Sequence, residues 1–256
     1  MRVTWWGHST VRLDDSGVRL LVDPVLTSYV GHLRRRRGPT PPPSVCDVDA
    51  VLVSHLHADH LHVPSLLRTG PGVRLIAPVG TRAFLRSRRG ARGLADRCEE
   101  VAPGATVDVG GLRVDVVAAR HDDRRHPWST HRAPPVQFVT TGTGRVWFGG
   151  DTDLHPSMAE LGPVDLALVP VGGWGPNLGP GHLDPARAVE AVRRVGARTA
   201  VPVHYGTFWP VGLDRVRREM FLPLGARFAE LAAEGLPGTD VQVLAPGDSL
   251  DVVTSG

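Results

Sequence analysis

The stretch VLVSHLHADHLH, residues 51–62, decides how this chain is read. It opens on an apolar β-type run, Val51-Leu52-Val53-Ser54, and then delivers His55-x-His57-x-Asp59-His60. A strand that runs into a loop spills these three imidazoles and one carboxylate together at its carboxyl end. Neutral imidazole and carboxylate are the donors that Zn²⁺ and similar divalent ions prefer. Four such side chains from so short a segment cannot all crowd round one ion. Two of them must face elsewhere, which points to two metal ions side by side.

Outward from this motif the chain reads as short alternating elements. Residues 2–6 and 18–22 are expected as strands, joined through 11–13 and an Asp-Asp-Ser-Gly turn. Residues 27–45, with four arginines at 34–37 and three prolines at 41–43, read as an irregular surface loop. The arginines are either an exposed loop or an anion-attracting rim. Residues 49–54 form the strand that leads into the histidines. A short helix at 64–68, a strand at 73–77 and a helix at 80–89 follow. Further β runs are expected at 99–101, 106–109 and 112–118. Residues 136–140 and 145–148 flank a Thr-Gly-Thr-Gly turn, a hairpin signal. An apolar strand at 166–170 ends in a Gly-rich loop, 172–181. Asp184 then has the form of an N-cap, with Pro185 at the first helical position. Ala188, Val189, Val192 and Val195 make a helical stripe that Gly196 stops. Residues 199–203 form a strand that delivers His204, and a helix at 227–233 and a strand at 241–244 close the chain. With no linker of disordered composition, residues 1–256 read as one domain with two central sheets and helices outside.

Composition narrows the function. The 256 residues are 41% hydrophobic, enough for a sizeable core, and contain no apolar run long enough to span a membrane. MRVTWWGHST lacks the charged-then-apolar pattern of a signal peptide. Cys46 and Cys98 fit no metal spacing, so a reducing, cytoplasmic location is expected. All 29 basic residues are Arg, yet the net charge is only +3, which does not imply a nucleic-acid partner.

Three more ligand-type residues share the placement of the first cluster: His121 after 112–118, Asp151 after 145–148 and two glycines, and His204 after 199–203. The glycines let backbone approach a ligand closely. In sheets of this kind ligands sit outside the carboxyl ends of the strands. HLHADH resembles the HxHxDH signature of the metallo-β-lactamase superfamily, and His121, Asp151 and His204 match that family's remaining ligands in order and context. Within the superfamily the chain is similar to the N-acylphosphatidylethanolamine-hydrolysing phospholipase D branch and its ascorbate-6-phosphate lactonase-like relatives. TWWGHSTVRL (4–13), LLVDP (20–24), AVLVSHLHADHL (50–61), FGGDTD (148–153), GHLDPARAVEA (181–191) and VPVHYGTF (201–208) carry that likeness. The HxHxDH motif is specific for the superfamily, the other segments for the branch, and none for a substrate.

The resemblance implies an αββα sandwich, two mixed sheets with helices on the outer faces and the site at one edge of both. It puts one metal on His55, His57 and His121, and a second on Asp59, His60 and His204, with Asp151 bridging. Two cations sharing a water generate hydroxide near neutral pH and stabilise the charge that develops on the attacked group. Asp59 ligates one metal and orients the nucleophile. His182 resembles the branch's active-site histidine by the leaving group; its alternative is to cap the helix that starts near Asp184. His8 and Asp23, at turns after strands, either hold ligand imidazoles in one tautomer or are ordinary turn residues. His126 and His131 compete with His121, which has the strand-end position. Trp174 and Trp209 could line a pocket, and His62 reads as surface. Zn²⁺ is the default for both ions, with Mn or Fe accepted by the same donors.

Residues 122–132, rich in Arg and Asp, suit a small anionic, water-soluble substrate better than an acyl chain. The expected function is therefore a dinuclear hydrolase of a phosphodiester or lactone. One alternative is a phospholipase D acting on N-acylated phospholipids, and another is a metal-stabilised binding protein without activity. No stable membrane insertion is expected, and a homo-oligomer is left open.

Overall fold

The computed structural model describes residues 1–175, 178–213 and 223–254. In the amino-terminal half the strands are β1 (Arg2–Trp5), β2 (Val11–Asp15), β3 (Val18–Val22), β4 (Tyr29–Val30), β5 (Leu33–Arg35) and β6 (Ala50–Leu52). Then come α1 (Val63–Leu66), β7 (Arg74–Pro78), α2 (Thr81–Ser87), α3 (Arg92–Asp96) and β8 (Cys98–Val101). The second half runs β9 (Thr106–Val109), β10 (Leu112–Ala118), β11 (Val136–Thr141), β12 (Arg145–Phe148), β13 (Val164–Pro170), α4 (Pro185–Val195) and β14 (Ala197–Val203). It closes with β15 (Phe208–Pro210), α5 (Leu224–Gly235), β16 (Asp240–Val241) and β17 (Ser249–Asp251).

Two seven-stranded mixed sheets result, one in the order β17-β1-β2-β3-β6-β7-β8 and the other β16-β14-β13-β12-β11-β10-β9. The alternation of side chains along a strand explains why they stack. Leu20 and Val22 of β3, Ala50 and Leu52 of β6, and Ile76 of β7 join the inter-sheet core with Val114, Phe138 and Trp147 of the second sheet. Their neighbours Leu21, Val51 and Leu75 point the other way and pack with Phe84, Leu85 and Leu94 of α2 and α3. On the far side α4 buries Ala188, Val189, Val192 and Val195. Each valine so buried contributes about 1.5–3 kcal/mol at most. Asp184 accepts from the Arg187 amide and Gly196 closes the helix at φ 61°. The layers are therefore helix, sheet, sheet, helix, the αββα sandwich that the resemblance implies. Among the described residues no helix is long and apolar enough to cross a membrane.

Strand direction places the site. β11 pairs antiparallel with both β10 and β12, while β12, β13 and β14 are parallel, so β10, β12, β13 and β14 end on one edge. β3, β6, β7 and β8 are likewise parallel. Backbone bonds from Val136 to Ser54 (2.9 Å) and from His204 to His8 (2.9 Å) tie the two sheets together at that edge.

Several expectations change. The helix expected at 80–89 is α2, Thr81–Ser87, and a further short helix, α3, follows it at Arg92–Asp96. Gly80 stands outside at φ 103°, and a Cβ there would meet Arg132 O at 2.0 Å. The strand at 241–244 shrinks to β16. Residues 27–45 hold β4 and β5, which join β15 in a small third sheet. Leu33 and Arg35 point inward there and Arg34 outward, so the first two arginines of the run lie on a strand with alternating faces, and Arg36 and Arg37 follow it. The buried Arg35 donates to Trp6 O and Val25 O, both at 2.9 Å.

Candidate metal centre

Each donor reaches the centre from a strand end. The loop after β6 carries His55, His57, Asp59 and His60; His121, Asp151 and His204 follow β10, β12 and β14. Among the described residues two clusters could hold metal ions, each with its donor atoms within 4.8 Å of one another. One is His55, His57, His121 and Asp151; the other is His8, Asp59, His60 and His204. In the first, His57 Nδ1 lies 3.1 Å from His121 Nε2; in the second, His60 Nε2 lies 3.2 Å from His204 Nε2. Asp151 faces both. Its Oδ2 is 3.8 Å from His121 Nε2 and 3.9 Å from His55 Nε2, and its Oδ1 is 3.1 Å from His204 Nε2.

Neighbours set the tautomers. His60 Nδ1 lies 2.8 Å from Asp23 Oδ2, His121 Nδ1 2.8 Å from Gly181 O, and His204 Nδ1 2.9 Å from Gly172 O. All three partners only accept, so each Nδ1 carries the proton and donates it, leaving the Nε2 lone pair aimed inward. Asp23 also accepts from the Ser54 amide (2.8 Å) and hydroxyl (2.7 Å). His8, expected only to support an imidazole, instead puts Nε2 2.7 Å from Asp59 Oδ2 and sets its ring, tilted by 37°, 4.0 Å from that of His204. His8, Asp23 and His204 have φ of 53°, 43° and 61°; with Ser16 they are the described non-glycine residues of positive φ. Each such conformation costs on the order of 1 kcal/mol, and here the strain gathers at the site.

Charge states suit ligation. Burial, reinforced by His60 and His57, holds the His55 pKa well below the usual imidazole range, and burial takes His121 down to about 4. Burial acts to raise Asp151, but His204 and His60 outweigh it and keep the carboxylate far below its usual range. Asp59 behaves alike through His204 and His8. His60 is opposite: burial lowers it, yet Asp151 and Asp23 carry it well above its usual range. A divalent cation competes there with a proton. The buried atoms His55 Nε2 and Asp151 Oδ1 have no hydrogen-bond partner. A buried polar atom left unpaired costs about 1–3 kcal/mol. Nitrogen and carboxylate oxygen converging in this way fit divalent metal ions.

His182 Nε2 lies 3.4 Å from Asp151 Oδ2, while the helix cap belongs to Asp184. Burial lowers the His182 pKa, but Asp151 more than offsets it and the net shift is upward. His126 is exposed, and His131 packs on Phe84 with ring centroids 5.6 Å apart; neither joins a cluster. His62 is buried, not on the surface, with Nδ1 2.7 Å from Ser65 Oγ. A Cβ on Gly150, at φ 56°, would meet Ser54 Cβ at 2.8 Å, and one on Gly149 would meet Pro170 Cδ at 2.8 Å. Gly150 thus lets the two sheets approach each other at Ser54. Trp174 is partly exposed beside His32, with ring centroids 5.2 Å apart, whereas Trp209 is buried. Arg132 pairs with Asp123 and Arg125 donates to loop carbonyls, so the arginines of 122–132 do not all point to solvent. Sequence reasoning missed Ser54, whose hydroxyl lies 3.0 Å from His55 Nδ1, and Thr207, which accepts from the His8 amide. A hydroxyl at the end of an apolar run carries no signal of its own.

A family model described as the Beta-lactamase superfamily domain matches residues 18–205. The chain is 29% identical over 259 residues to a metal-dependent hydrolase of Methanopyrus kandleri, covering 98% of this chain and 100% of that one. It is 31% identical over 235 residues to the N-acyl-phosphatidylethanolamine-hydrolyzing phospholipase D 1 of Caenorhabditis elegans, covering 82% of this chain and 64% of that one. It spans 59% of the length of mycobacterial relatives to which it is 34% identical. In fold it resembles a solved metallo hydrolase of Ignicoccus hospitalis, with a TM-score of 0.70, 20% identity and 97% of both chains covered.

Proposed function

The chain belongs to the beta-lactamase superfamily and, within it, to the metal-dependent hydrolases; from that premise we propose that it holds two divalent ions and hydrolyses a small anionic ester, a phosphodiester or a lactone. The observation that carries the reading is Asp151, which lies between the two donor sets: Oδ2 is 3.3 Å from His60 Nε2, 3.8 Å from His121 Nε2 and 3.9 Å from His55 Nε2, and Oδ1, 3.1 Å from His204 Nε2, lacks a hydrogen-bond partner. His55, His57 and His121 would hold one ion, and Asp59, His60 and His204 the other. Divalent ions supply Lewis-acid polarisation of the scissile group and a water acidified toward neutrality. The protein's own residues do the rest. His8 fixes the Asp59 carboxylate, and Asp23 fixes His60. His182, a fifth of its side chain exposed beside Asp151, delivers a proton to the leaving oxygen. Four positive charges against the carboxylates of Asp59 and Asp151 draw an anionic substrate without help from the arginines of 122–132.

A second reading, hydrolysis of N-acylated phospholipids, is favoured by the likeness to the nematode phospholipase and by exposed Tyr29, Trp174 and Val211. The test is a screen of chromogenic phosphodiesters and lactones, and of vesicles doped with N-acylated phospholipid, each with and without chelator. Chelator-sensitive turnover of the soluble esters supports the first reading. Turnover of vesicles alone supports the second, and no chelator-sensitive hydrolysis by metal-loaded protein overturns both.

A further inference from the structure

Arg125 lies four residues beyond His121, on the segment that connects β10 to β11, yet its guanidinium reaches the loop of the other sheet. One nitrogen, Nη1, donates to Leu56 O at 2.5 Å and to Leu61 O at 2.8 Å. Those carbonyls bracket His57, Asp59 and His60. The Leu56 and Leu61 side chains are buried in the core beneath α1–α3, so each leucine is pinned below by its side chain and above by Arg125. The loop's own backbone bonds are few and local: the His60 and Leu61 amides donate to His57 O, and the His62 amide to His60 O; its longer-range ties run through the Asp59, His60 and His57 side chains. The connecting segment is itself braced. Ala133 N donates to Asp123 O (2.8 Å), Arg132 pairs with Asp123, and the Arg125 guanidinium sits 4.9 Å over the Phe84 ring. Burial brings the Arg125 pKa down to about 10, with Asp59 acting against that shift, and the group is still a full cation at neutral pH.

We propose that Arg125 is a positioning residue for the metal centre: it clamps the loop of residues 56–61 so that His57, Asp59 and His60 present their donors in one arrangement, and thereby couples that loop to His121. A charged donor serving two carbonyls makes stronger bonds than neutral ones. Its removal leaves both carbonyls without this partner and frees the loop between its leucine anchors. The inference rests on the metal-binding reading above, so its test has an arm that needs no metal.

The test compares the full chain with Arg125→Ala and Arg125→Lys. In metal-free protein, hydrogen exchange at amides 57–62 is expected to quicken at least about tenfold in Arg125→Ala, with β7 unchanged. In cobalt-loaded protein the visible spectrum should shift, and loss of Co²⁺ to a chelator should quicken by about tenfold or more. Arg125→Lys, which keeps a charged donor, should recover the spectrum in large part. Wild-type loop exchange and a wild-type cobalt spectrum in Arg125→Ala would overturn the clamp, whatever happens to the melting temperature. If the unaltered chain takes up no cobalt, the metal reading fails, and loop exchange still decides the clamp.

Discussion

The two donor sets differ in depth and in support. His8, Asp59, His60 and His204 are all buried, whereas in the other set His55, Asp151 and the His121 side chain are buried but His57 is partly exposed. The deeper set is held from behind by Asp23 on His60, Gly172 O on His204 and His8 on Asp59. The shallower set has Ser54 on His55 and Gly181 O on His121. Acceptors behind a ligand raise its basicity and fix its orientation. The contrast teaches that one half of the centre is the more firmly braced, and under the proposed function substrate would arrive on the other. His182 stands on that open side with a fifth of its side chain exposed.

The strongest way to break the contrast is to remove the one side chain both sets share. Asp151→Ala should abolish hydrolysis, by about 10³-fold or more, and release at least one ion, with the circular dichroism unchanged. Asp151→Asn should keep more metal yet remain poorly active, because a neutral amide oxygen bridges weakly. His182→Ala touches only the open side. It should lower turnover by about 10²-fold with bound metal and melting temperature unchanged; loss of metal would contradict the leaving-group role. Asp23→Ala acts directly on the deep set and reaches the other only through Ser54. It strips the acceptor from His60 and from Ser54, and should weaken one of two metal-binding steps by about 10–100-fold and stability by about 2–3 kcal/mol, read by competition titration and thermal unfolding. The mildest expectation concerns exchange. Chelator should remove the ions in two phases, the faster about tenfold quicker and sensitive to His57→Ala. A single phase would mean that the difference in depth has no kinetic consequence.

The sandwich and most donors were legible because they lie on strong signals. β6 and the HxHxDH motif are contiguous in sequence, and the strands before His121, Asp151 and His204 are apolar enough to read. The Asp184-Pro185 start and Gly196 stop define α4 to the residue. β4, β5, β15 and β17 escaped because strands of two or three residues show no alternation, and their pairing is long-range, as in Arg2 with Asp251 and Phe208 with Arg35. His8 was seen but assigned to the wrong partner type: its turn brings it to Asp59, across 51 residues. Arg125 was hidden in a segment whose Arg and Asp content reads as solvent-facing. A carbonyl as its target leaves no trace in the side-chain pattern. His62 looked like surface because nothing in a local window shows that Ser65 will close over it.

The central claim is two ions bridged by one carboxylate, and metal content measures it directly. Elemental analysis of protein loaded with excess divalent metal and then desalted should give close to two ions per chain, falling to one or fewer in Asp151→Ala. One ion per chain in the unaltered protein, unchanged by further metal, would contradict the account.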